Sequence, residues 1–151
     1  MRCPHFNNQL EIKNPMKKTT KTLRTLLFSA VVLTFTAISA KAAALSDKDE
    51  QFLAEYEKIH TALAADDLST AKVAAKGLGE DANEIAQATS LKDARTGFEK
   101  LSGRAKTLVA GQSDYHVFHC PMLNKDWVQT STTTSNPYGG KEMIGCGEIQ
   151  K

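Results

Sequence analysis

The run Ser46-Asp47-Lys48-Asp49-Glu50-Gln51-Phe52-Leu53-Ala54-Glu55-Tyr56-Glu57-Lys58-Ile59-His60-Thr61-Ala62-Leu63 carries a helix start and an apolar helical face together. Ser46 can cap, and Asp47, Asp49 and Glu50 suit the positive end of the helix dipole. Phe52, Tyr56, Ile59 and Leu63 then recur at helical spacing, flanked by Leu53 and His60. His60 reads first as a partly buried histidine hydrogen-bonded to its surroundings, with a ligand role as the alternative. Ala65-Asp66-Asp67-Leu68-Ser69 follows as a turn and a new cap.

Two further segments continue the pattern. A second, alanine-rich helix is expected from about Ser69-Thr70, with Val73, Ala74 and Leu78 on its buried side. Gly77 and Gly79 weaken it there, so it breaks and resumes from Glu80 through Ile85 to Ala88. Ser90 opens the next helix, with Asp93 at its third position in a variant of the capping box. Leu91, Ala94, Phe98, Leu101, Ala105 and Leu108 mark its apolar face, and Gly111 is a left-handed terminator. The fold class is therefore mainly α: a three- to four-helix antiparallel bundle with a short irregular or β C-terminal tail.

Upstream lies a leader. Met16-Lys17-Lys18-Thr19-Thr20-Lys21-Thr22-Leu23-Arg24 is a basic stretch, and Thr25 to Ser39 is largely apolar but too short for a comfortable membrane span. Ala40-Lys41-Ala42 supplies a small-x-small cleavage pattern, so residues 16–42 read as a secretory signal peptide cut near Ala42. Met16 is then the expected initiator, with residues 1–15, Cys3 included, an upstream extension. The expectation is a single periplasmic or secreted domain over residues 43–151, with a motif-bearing tail over 113–151 and no membrane association after cleavage.

The formal charge of +2 hides an asymmetry: residues 1–42 hold seven of the 19 basic residues and one of the 17 acidic ones. The remainder carries a net −4, which gives no electrostatic reason to expect nucleic-acid binding.

The chemistry concentrates in the tail. Tyr115-His116-Val117-Phe118-His119-Cys120 alternates as a strand, with Tyr115, Val117 and His119 on one face and His116, Phe118 and Cys120 on the other. Pro121 stops it, and Trp127-Val128-Gln129-Thr130 is a candidate partner strand. Asn136-Pro137-Tyr138-Gly139-Gly140 signals a turn, and Lys141 to Ile144 a helical turn. Cys120 and Met122 form one sulfur pair and Met143 and Cys146 another, each beside turn-forming Pro or Gly. Thiolate and thioether are soft donors and select Cu(I) or Ag(I), whereas thioether is a poor zinc ligand. His116 and His119 add borderline donors at the same edge.

The competing expectation is a Cys120–Cys146 disulfide, which an oxidising compartment favours. It would close a loop worth about 3.5 kcal/mol by unfolded-state entropy. Spacing alone leaves both readings open: a metal-binding site, or a disulfide-stapled helical interaction module without metal.

The tail also resembles the bacterial family catalogued as domain of unknown function 3347. The resemblance rests on Cys120-Pro121-Met122, Trp127, Asn136-Pro137-Tyr138 with Gly139 or Gly140, Met143 and Cys146-Gly147, over roughly residues 115–149. Over the helices it is looser, through Tyr56, Leu63, Asp66, Phe98 and Leu101. The family is exported and is also appended to periplasmic adaptor subunits of heavy-metal efflux pumps. The resemblance implies a helical bundle with an irregular tail packed on it and an association with copper or silver handling. It also implies periplasmic metal-efflux components as partners. These 151 residues contain no adaptor hairpin and no membrane-fusion region, so a pump-subunit role does not carry over.

Catalysis is not expected. No Ser/His/Asp order or paired-carboxylate arrangement stands out, and no Cys-x-x-Cys is present. Strand alternation turns His119 away from Cys120, which deprives that thiol of an adjacent base.

Overall fold

A computed structural model describes residues 44–150. The expected signal peptide and Met16 start, and Cys3, lie outside the described residues. Four helices pack together, α1 (Asp47–Ala64), α2 (Leu68–Lys76), α3 (Asn83–Ala86) and α4 (Leu91–Leu108). A small antiparallel sheet follows, built from β1 (His116–Cys120), β2 (Lys125–Gln129) and β3 (Glu148–Ile149) in the order β2-β1-β3. No helix among the described residues is long and apolar enough to cross a membrane.

The caps form where the sequence signals them. Ser46 Oγ accepts from the Asp49 N–H and Ser90 Oγ from the Asp93 N–H. Asp67 caps α2 by accepting from the Thr70 N–H, so α2 starts at Leu68, slightly ahead of expectation. Gly77 ends α2, and a 3-10 turn over Gly79–Ala82 leads into α3. The expected face of α2 is corrected in one place. Val73 is 65% exposed, while Ala71, Ala74 and Ala75 are buried. The small side chains face α1, which lets the two backbones approach closely and turns the bulkier valine outward.

The core joins Phe52, Leu53, Tyr56, Ile59 and Leu63 of α1 to Phe98, Leu101 and Ala105 of α4, with Ile85 of α3 packed against α4. The Tyr56 and Phe98 rings stack at 4.8 Å, a separation at which aromatic pairs add to simple area burial. Gly97 leaves room for the Ile85 side chain.

The sheet joins this core through β2. Its outer edge is satisfied by side chains rather than by another strand. The Val128 N–H donates to Tyr56 Oη at 3.0 Å, and Tyr138 Oη donates to the Asp126 carbonyl at 3.2 Å. Ser102 Oγ of α4 stands between the phenols, 3.1 Å from Tyr56 Oη and 3.0 Å from Tyr138 Oη. A continuous hydroxyl chain thus ties α1, α4 and the tail to one strand. Burial pushes both phenols well above the ordinary tyrosine range, which keeps them neutral.

Candidate functional site

The strand faces expected for Tyr115 to Cys120 hold. Phe118 and Cys120 are buried, and Phe118 stacks on Trp127 of β2, its partner in register, at 5.5 Å. The residues between β2 and β3 fold over this face. Gly147 lies so close to the Trp127 indole that a side chain there would collide with the ring. Cys146 is thereby brought against Cys120, and their Sγ atoms stand 2.9 Å apart. Both sulfur-bearing residues are buried, Cys120 completely and Cys146 to 7% exposure.

Asn136 holds the covering segment in place. It is fully buried, and its Oδ1 accepts from the Tyr138 and Gly139 N–H groups, both at 2.9 Å. Its Nδ2 donates to the Cys146 carbonyl at 2.8 Å, and its own N–H donates to the Ile144 carbonyl at 2.9 Å. The Asn-Pro-Tyr-Gly-Gly motif is therefore a scaffold for the cysteine ten residues on. Gln129 does comparable work on the preceding loop. Its Nε2 donates to the Ser131 and Thr133 carbonyls, and its Oε1 accepts from Trp127 Nε1 and the Ser135 N–H.

A second clamp fixes this turn to the helices. Arg95 of α4 donates from Nε to the Pro137 carbonyl at 2.8 Å, and from Nη2 to Asp66 Oδ1 at 2.6 Å and the Leu63 carbonyl at 3.1 Å. Asp66 Oδ2 accepts from the Lys141 N–H at 3.0 Å. That hydrogen bond, with those from Arg95, holds the Asp66 carboxyl below the usual range. Gly140, at φ 55°, passes against this pair, and any Cβ there would overlap the Asp66 carboxylate.

The thioethers stand apart from the buried pair in environment. Met122 sits in the turn between β1 and β2 and is 70% exposed. Met143 ends a 3-10 turn over Gly140–Met143, is half-buried, and packs against the core. Its carbonyl accepts from the Cys146 N–H at 2.8 Å, which closes the Met143–Cys146 turn that the spacing suggested.

The histidines go elsewhere. His119 lies on the opposite face of β1 from Cys120, where its Nδ1 is 2.7 Å from Asp126 Oδ1. Lys106 of α4 also donates to Asp126. Burial alone would push the Asp126 carboxyl up; the hydrogen bonds from Lys106 and His119 outweigh it and hold the carboxyl down. A cleft of about 380 Å³ opens beside them, lined by Glu99, Lys106, His119, Lys125, Asp126 and Gln150. Its charges pair within the protein, Lys125 with Glu99 and Lys106 with Asp126. His116 shares the Cys120 face but stands four residues away, roughly 13 Å along a strand. Neither imidazole is arranged to share one ion with Cys120. Among the described residues no group of three or more His, Cys, Asp and Glu side chains is placed to hold a metal ion.

His60 is buried at 2% exposure, and its Nε2 is 2.7 Å from the Ser135 carbonyl. A carbonyl only accepts, so Nε2 carries the hydrogen. The histidine is buried and hydrogen-bonded, as its position beside the buried face suggested, and its partner lies in the tail.

Comparisons with family models, with curated proteins and with solved structures give no match to this chain.

Proposed function

We propose that this chain is an exported soft-metal-binding protein, a chaperone or sequestering domain for Cu(I) or Ag(I). Its holding group is the Cys120/Cys146 thiol pair, and the Met143 and Met122 thioethers are the further donors. The observation that carries this reading is the convergence of two sulfurs, 26 residues apart in sequence, to 2.9 Å. An Asn136 clamp and a glycine laid on Trp127 support that convergence. Two thiolates suffice for a soft monovalent ion, and the apolar surroundings of Phe118 and Trp127 exclude competing water. The resemblance to a family appended to heavy-metal efflux components points the same way and names such components as partners. It is an associational argument, weaker than the sulfur geometry.

A second reading has its own observation. Two thiolates alone hold a soft monovalent ion near-linearly, and at bonds of about 2.3 Å they stand roughly 4.6 Å apart. At 2.9 Å the sulfurs are closer than that, so metal uptake requires the Cys146 turn to retreat by about 1.7 Å. Closing to a cystine, with its S–S bond of about 2.05 Å, requires a smaller movement inward, about 0.9 Å. In that case the domain is a disulfide-stapled interaction module.

Intact mass before and after reductant separates the two states. The metal reading expects the reduced protein to take up one equivalent of Cu(I), and Cys120→Ser to lose that uptake. Failure of the reduced wild type to bind, with a mass two hydrogens light as isolated, establishes the staple instead.

A further inference from the structure

The two thiols differ in depth and in how they are held. Cys120 ends β1, is fully buried, and is paired in register with Lys125 of β2. Its strand is the central one of the sheet, with β2 on one side and β3 on the other. Cys146 belongs to no strand or helix; it lies in the segment that folds over this face, at 7% exposure. Its chain neighbours are open. Ile144 is 42% exposed, Gly145 and Glu148 are exposed, and a Cβ added at Gly145 would meet nothing within 4 Å. Separate hydrogen bonds hold this segment in place of a ladder: the Cys146 N–H to the Met143 carbonyl, Asn136 Nδ2 to the Cys146 carbonyl, and Thr134 Oγ1 to the Gly147 carbonyl at 3.2 Å. A covering segment of this kind opens locally at lower cost than a central strand. Cys146 is thus the outer sulfur of the pair and Cys120 the inner one.

We propose that this pair exchanges with small external disulfides in a fixed order, Cys146 forming the mixed disulfide and Cys120 resolving it. The proposal rests on the cystine reading of the pair and adds the route by which that state forms and is undone. In the first step the Cys146 thiol gives its proton to solvent, and the thiolate sulfur bonds to one sulfur of the external disulfide. That disulfide breaks, and its other half leaves as a thiol after taking up a proton. In the second step Cys120, also deprotonated, bonds to Cys146 Sγ, and the mixed disulfide breaks to release the second half as a thiol. Two protein thiols are oxidised and one external disulfide is reduced, with no further oxidant. The resolving sulfur needs little travel, because the two Sγ atoms already stand 2.9 Å apart. The domain is the recipient in this exchange, so it requires no Cys-x-x-Cys motif of its own. The narrow exposure of Cys146 suits a slender disulfide of the glutathione kind. An excess of small thiol runs the same steps backwards, with Cys146 again the sulfur attacked from outside.

The test uses the reduced full chain under anaerobic conditions, with glutathione disulfide as the probe. Wild type is expected to end as the internal cystine, two hydrogens lighter, after a transient glutathione adduct. Acid quenching at early times and peptide mapping should place that adduct on Cys146. Cys120→Ser should stop at a stable adduct, formed at least about tenfold faster than the adduct of Cys146→Ser, since exchange follows access to the sulfur. In denaturant the two variants should react within about twofold of each other, which ties the native difference to the fold. The mapping on wild type decides the order even where a variant folds poorly. An early adduct on Cys120, or equal native rates for the two variants, overturns the order and leaves the cystine reading standing. Two stable adducts on wild type without closure overturn the exchange and the cystine reading together. No reaction of wild type overturns the exchange alone, because the mass of the protein as isolated reports the cystine independently.

Discussion

The side-chain amide of Asn136 donates to the Cys146 carbonyl across 2.8 Å, while its oxygen receives two backbone N–H groups of the following turn. One buried residue thus shapes a loop and aims a cysteine. Asn136→Ala leaves the Tyr138 and Gly139 N–H groups and the Cys146 carbonyl without these partners. It should cost about 3 kcal/mol in chemical denaturation, since each buried group left unsatisfied carries a desolvation penalty. In the same variant, labelling of the reduced protein by a thiol reagent should accelerate, because the segment covering Cys120 loosens before the helices do.

Gly140 sits at φ 55° against the Asp66–Arg95 pair. Gly140→Ala should destabilise by at least about 2 kcal/mol, because it combines left-handed strain with overlap on the Asp66 carboxylate and the Arg95 guanidinium bound to it. Arg95→Met preserves much of the side-chain volume and removes three donations, two of them to backbone carbonyls. A loss of about 2–3 kcal/mol is expected. The double variant should lose less than the sum of the two, since both disturb one clamp.

Acid should loosen the domain through its aspartates. Asp66 is held below its usual range by the Lys141 N–H and Arg95, Asp67 by the Thr70 N–H and hydroxyl, and Asp93 by the Ser90 and Thr89 hydroxyls. A carboxyl with a depressed folded pKa contributes stability that is fully present above its unfolded pKa of about 3.9. That contribution disappears as pH falls through the folded value. Melting temperature should therefore be flat from neutrality to about pH 5 and fall below about pH 4. Asp66→Asn should start lower at neutral pH and fall less steeply, and an unchanged acid slope would remove Asp66 from the account.

Tyr56→Phe deletes one hydroxyl from the core. The Val128 N–H on the outer edge of β2 loses its acceptor, and Ser102 Oγ loses a neighbour at 3.1 Å. A cost of about 2 kcal/mol is expected from the stranded N–H. Tyr138→Phe should cost less, because the Asp126 carbonyl is an acceptor and tolerates a missing partner better than a donor does. Spectrophotometric titration of the wild type should show both phenols silent until the protein unfolds in alkali.

Local signals were legible in the chain. Ser46, Ser90 and the Gly77–Gly79 interruption work through neighbours three or four residues away, and the structure has them as read. The two faces of β1 followed from alternation, and the turn at Asn136 followed from its composition. Contacts between distant residues were not legible. Nothing near Tyr56 foretells a bond to Val128, 72 positions on, and β3 is too short to announce itself. One signal was present and unused: Asp66 and Asp67 both stand at the junction of α1 and α2, yet a helix start needs only one cap. Asp67 serves as that cap, and the surplus carboxylate turned out to be the anchor for Arg95. Val73 faces outward against expectation because close helix contact favours the smaller alanine over a bulkier apolar side chain. For the sulfurs, spacing pairs each cysteine with its nearby methionine and equally offers Cys120 with Cys146; the fold brings cysteine to cysteine and leaves Met122 at the surface.

The tyrosine hydroxyls on β2 have a consequence for how this molecule behaves in a crowd. An unpaired strand edge is a template on which other chains polymerise. Here an intruder at β2 would have to strip Tyr56 and Tyr138 from the strand, and with them α1, α4 and the tail. The opposite margin of the sheet is only two residues long. Strand-by-strand growth into fibrils is therefore blocked on one side by a covered edge and on the other by brevity. A variant lacking both phenol hydroxyls is where such growth should begin.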